Sequence, residues 1–92
     1  MNEDILGAYI QLLKQLNNKH QVGLVVYIMY QGAIQGGVPM ENFSLFTFLA
    51  YQRYPKYIDK LLKRLVGMSV SELIDEGHAI MARLSSQSHA PS

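Results

Sequence analysis

A chain of 92 residues with 49% hydrophobic and 16% charged side chains is too apolar to stay disordered and too short for a second domain. A formal net charge of +1 excludes a global electrostatic grip on nucleic acid or anionic lipid, so a basic site has to be local. The lack of cysteine excludes a disulfide framework and thiolate chemistry, and the acidic start "MNEDILG" lacks the basic region of a signal peptide, so a cytoplasmic protein is expected.

Residues 3–17, "EDILGAYIQLLKQLN", place Ile5, Leu6, Tyr9, Leu12, Leu13 and Leu16 on one face of a helix. Asn2 suits its cap, and Glu3 and Asp4 suit the positive end of its dipole. Asn17 and Asn18 offer turn chemistry before the next element.

Residues 19–35 contain the β-branched run "VGLVVYI", which taken alone reads as a buried strand. The segment is too long for a typical strand and has helices on both sides, so it is read as a helix, apolar nearly all round and therefore central. Its strictly apolar part is far short of the 20 or so residues of a membrane span, and a membrane partner is not expected. Val22, Val25, Val26 and Met29 are expected in the interior, with Tyr27, Tyr30 and Gln31 at the edge as the contact to a second subunit. Gly36 and Gly37, followed by Pro39, end the element.

Residues 42–54, "NFSLFTFLAYQRY", carry Phe43, Phe46, Leu49, Ala50 and Tyr54 on one helical face behind a cap at Asn42 or Ser44, although the aromatics leave a strand open. Leu45, Phe48 and Tyr51 lie off that face. Pro55 suits the first position of a helix with Ile58, Leu61, Leu62 and Leu65 inward, stopped by Gly67. Ser69 and Glu72 have capping-box spacing for a last helix to about Leu84, with Leu73, Ile74, Ile80, Met81 and Leu84 inward and Gly77 either weakening its centre or admitting another backbone. The polar tail 85–92 is expected to be disordered. The chain thus reads as a single all-α domain over 1–84, a bundle of four or five short helices.

No residue set asks for catalysis, a metal or a cofactor. No two of His20, His78 and His89 share the i, i+4 spacing of helical metal ligands, and Glu72, Asp75 and His78 read as a solvated polar face. The serines sit at caps and in the tail, and "GAIQGGV" follows an apolar helix without the Lys-Ser/Thr pair of a phosphate loop. Gly32 and Gly36 have the small-xxx-small spacing of close helix packing, and Met29, Met40, Met68 and Met81 read as core filler more than as a small-molecule pocket.

The sharpest charge feature is "RYPKYIDKLLKR". Lys56, Lys60, Lys63 and Arg64 recur at helical spacing opposite an apolar stripe, with Arg53 just upstream and Asp59 as the one acidic residue in the segment. Such a face is either plain solvated surface or a contact for phosphates or an acidic partner, with Tyr51, Tyr54 and Tyr57 interleaved as stacking or hydrogen-bonding groups.

The adjoining segment 61–77, "LLKRLVGMSVSELIDEG", resembles the helix-turn-helix half of ribbon-helix-helix DNA-binding proteins. That resemblance implies a strand before the first helix, whose outward polar side chains read the major groove. Here "FSLFTFLAYQRYP" stands in that place and is apolar on both faces. The expectation is therefore a non-catalytic regulatory or adaptor protein, a homodimer that binds another protein of acidic character. The alternative is a DNA-binding regulator using the basic face 53–64 and the turn at 67–71.

Overall fold

The computed structural model describes residues 2–67 and 70–88, with side chains over 5–67 and 70–84. Five α-helices follow one another: α1 Asn2–Gln15, α2 Lys19–Ile34, α3 Met40–Arg53, α4 Pro55–Leu65 and α5 Val70–Ser88. There is no strand among the described residues, so the all-α bundle stands and the β-branched run of α2 is helical. Helix-compatible length and tertiary packing override the weak strand preference of valine and isoleucine.

The junctions follow from local chemistry. Asn18 caps α2, its side-chain oxygen accepting from the Gln21 N–H at 3.0 Å, while the Gln21 side chain reaches back to the Asn17 N–H at 2.6 Å. Gly36 and Gly67 are the two described residues with positive φ, at 84° and 70°, and each ends a helix. In both cases a neighbouring N–H reaches back five residues, Gly37 to the Gly32 carbonyl at 2.9 Å and Gly67 to the Leu62 carbonyl at 3.1 Å. Pro55 keeps Tyr54 out of the helical region (φ −134°, ψ 68°), which breaks the chain between α3 and α4 and lets Pro55 open the new helix.

The helix at the centre is α3. It packs against α1, α2, α4 and α5 and buries Phe43, Leu45, Phe46, Thr47, Phe48 and Ala50. Leu45 and Phe48, which lie off the predicted stripe, are buried because α5 covers that second side. The expected central helix, α2, is enclosed on one side alone: Val22, Val26 and Met29 are buried and Val25 half-buried, whereas Leu24, Ile28 and Ile34 are 59, 57 and 56% exposed. Apolar sequence on every side does not make a helix central when its packing is chiefly against α3 and α4.

Smaller corrections concern helix ends and glycines. α3 begins two residues before Asn42, flanked by Pro39 and without a side-chain cap, so Asn42 and Ser44 lie inside its first turns. α5 continues to Ser88, past the predicted end at Leu84 and into the expected disordered tail, while Ser69, Met68 and His89 lie outside the described residues. Gly32 packs against Val38 as the chain turns back, a Cβ there standing 2.6 Å from Val38 Cγ2, and Gly36 is the helix stop, so the Gly32/Gly36 pair does not form a helix–helix contact within the chain. At Gly77 it is the Phe48 ring, not a backbone, that fills the missing side chain's place.

Two apolar clusters hold the bundle. The larger joins Leu13, Val22, Val26, Met29, Phe43, Phe46, Ala50, Ile58, Leu62 and Leu73; the smaller joins Leu45, Ile80 and Leu84 under Ile5, Leu6 and Met81. Tyr9 meets Phe46 edge-on at 5.6 Å, and Tyr30 leans on Phe43 at 5.6 Å.

Candidate functional site

The basic segment folds as the start of α4 and its exposed flank. The apolar side of α4 is spent on Ile58 and Leu62, both fully buried, and this turns Lys56, Lys60, Lys63 and Arg64 to solvent. These four do not act alike. Lys63 pairs with Asp59 one turn away at 3.3 Å, an exposed contact of small energetic value. Lys56, Lys60 and Arg64 have no ion-pair partner among the described residues.

Arg53 has a structural duty. Its guanidinium donates to the carbonyl of Leu13 and, at 3.3 Å, to that of Leu16, so it closes the C-terminal end of α1 from the end of α3. Carbonyls at a helix end lack partners within the helix and carry the negative end of its dipole, so a cation there answers both needs. The guanidinium also lies 5.2 Å from the centre of the Tyr54 ring.

Tyr57 is the hub of the site. Its ring lies against the bare backbone of Gly23 in α2, where an added Cβ would stand 2.8 Å from Cε2 and 2.9 Å from the hydroxyl. Lys19 sits over the same ring at 5.4 Å, and His20 meets it edge-on at 5.6 Å. The N-terminus of α2 therefore adds two groups that sequence reasoning left out of the site. Two shallow hollows open on either side of Tyr57. One, of about 340 Å³, is bordered by Lys19, Arg53, Tyr54, Pro55 and Lys56; the other, of about 220 Å³, by Lys60, Leu61 and Arg64.

The remaining sequence candidates divide. Tyr54 joins the Tyr57 surface, whereas Tyr51 is half-buried against the larger core cluster and borders neither hollow. Tyr27 is exposed beside Leu24 and Ile28; Tyr30 and Gln31 are half-buried, with Tyr30 held by Phe43. His78 stands edge-on to Phe48, and the methionines do not converge: Met29 is in the larger cluster, Met81 lies against the smaller and Met40 is exposed. The segment that would supply a ribbon-helix-helix strand is α3, the most enclosed helix, which corrects the fold implied by that resemblance.

Lys19, Lys56, Lys60 and Arg64 around an aromatic ring can receive carboxylates or phosphates while the ring packs on the apolar part of the same ligand. No helix among the described residues is long and apolar enough to cross a membrane. Compared with known protein families, with curated proteins and with solved structures, the chain gives no match.

Proposed function

We propose that this chain is a small non-catalytic regulatory or adaptor protein that works by protein–protein contact, pairing with a second copy of itself and holding an acidic segment of a partner. The observation that carries the partner site is the convergence of Lys19, Lys56, Lys60 and Arg64 on the Tyr57 surface, from two helices separated in sequence. These cations are exposed and contribute little to the fold, which suits them to an external anion. Self-association rests on the exposed stripe Leu24, Tyr27, Ile28 and Ile34 of α2. The chain holds no charged residue from Gln21 to Met40, so two copies of this face meet without like-charge repulsion.

The partner site is tested by fluorescence anisotropy with a labelled Asp/Glu-rich peptide containing spaced aromatics as probe. Replacing Lys19, Lys56, Lys60 and Arg64 by glutamine should weaken binding about tenfold or more and leave the melting temperature nearly unchanged. Tighter binding to random duplex DNA than to the peptide, with a steep loss on adding salt, would instead establish the nucleic-acid reading. Sedimentation of Leu24→Glu/Ile28→Glu should show a monomer that keeps its helix content, and a monomeric parent protein would remove the self-association.

A further inference from the structure

The chain holds a second concavity of opposite character, independent of the Tyr57 surface. A groove of about 390 Å³ runs between α2, α3 and α5, floored by Tyr30, Met40, Phe43, Val66 and Leu73. Three carboxylates, Glu41, Glu72 and Glu76, stand at its rim. Glu41 is occupied, since it pairs with Arg83 of α5. Glu72 and Glu76 are exposed and one turn apart on α5, and no ion pair among the described residues involves either. Like charges at that spacing repel along α5; Glu72 in the first turn suits the helix dipole, but Glu76, one turn further on, has no such return from the fold.

We propose that this groove docks a basic amphipathic helix of a partner protein, with its apolar side chains on the Tyr30–Phe43–Leu73 floor and its lysines or arginines on Glu72 and Glu76. An apolar floor of this size has room for a pair of large aliphatic side chains, which is how helices seat in grooves through anchors one turn apart. The charge on the rim selects the sign of the helix and repels anionic lipid. A second copy of this chain does not present such an element. Its basic helix, α4, has Ile58 and Leu62 fully buried, and its exposed apolar stripe on α2 is uncharged.

The test uses a fluorescein-labelled synthetic helix of about five turns, with leucines at i, i+3 and i+7 and lysines on the flanks, titrated with the full chain. Binding should perturb the Met40 methyl resonance, and Glu72→Gln/Glu76→Gln should weaken it about tenfold. Asp75→Asn, a change on the same helix at a residue that does not line the groove, should leave affinity within about twofold. A peptide with serines for the leucines should bind far more weakly. Equal binding of that peptide, or an equal loss from Asp75→Asn, would reduce the effect to general charge attraction and overturn the proposal. So would a Met40 signal that shifts with protein concentration alone, since a second copy would then occupy the groove.

Discussion

Gly77→Ala should destabilise this protein although alanine is the better helix former. Gly77 lies inside α5, where exchange for alanine ordinarily stabilises by about 1 kcal/mol. Here the added methyl would overlap Cγ and Cδ1 of Phe48 and stand 2.8 Å from its Cβ. Because that Cβ is fixed to the backbone of α3, no change of rotamer can move it away. A normal carbon–carbon contact of about 3.5 Å requires α3 and α5 to part by roughly 0.7 Å, a gap that forfeits a quarter to a half of each contact across it. Leu73 and Ile80, each 2% exposed, share that side of α5 and lose contacts as well. Overpacking costs about 1–3 kcal/mol, and a clash with a backbone-fixed Cβ belongs to the upper part of that range, about 2–3 kcal/mol; after the propensity gain of about 1 kcal/mol the net loss is about 1–2 kcal/mol. For a domain of this size that lowers the melting temperature by roughly 4–15 °C. Gly7→Ala is the control, since nothing among the described residues crowds its added Cβ, and it should melt a few degrees higher than the parent. On a Phe48→Gly background, which removes the Cβ together with the ring, Gly77→Ala should cost much less, a coupling readable as a double-mutant cycle. A Gly77→Ala protein that melts as high as Gly7→Ala would refute the reasoning.

Thr47 is fully buried in α3 and its hydroxyl has no hydrogen-bond partner among the described residues, so Thr47→Val, nearly equal in shape, should stabilise by about 1 kcal/mol, seen as a higher urea midpoint at unchanged slope. Arg53→Met keeps the apolar stem but removes the donors to Leu13 and Leu16; amide exchange in the last turn of α1 should quicken about tenfold while α3 is unaffected. Val26→Asp places a carboxylate at a fully buried site of α2 and should cost several kcal/mol of a total of about 5–15, abolishing the cooperative melt; a folded, fully helical variant would show that this side of α2 is not interior.

The sequence alone determined the fold class and, to within one, the number of helices, because those depend on short-range chemistry. Apolar spacing of three and four residues, Asn18 at a cap, Gly36 and Gly67 at positive φ and the restriction that Pro55 places on Tyr54 all act within a few residues of themselves. The exposed basic side of α4 was legible for the same reason, since Ile58 and Leu62 mark the opposite side of the same helix. Which helix is central was decided only in three dimensions. α2 has the more apolar sequence, but α3 is the helix that four neighbours enclose, and this left the unpartnered stripe of Leu24, Ile28 and Ile34 on α2. Tertiary structure also assigned the cations their separate tasks. Arg53 and Lys60 look alike in sequence; one reaches the carbonyl ends of α1, some 40 residues earlier, and the other remains in solvent. Lys19 and His20 joined Tyr57 because Gly23 leaves room for the ring, and the acidic groove formed where α2, α3 and α5 meet. Contacts between residues so far apart in the chain follow from the docking of whole helices, which no local pattern encodes.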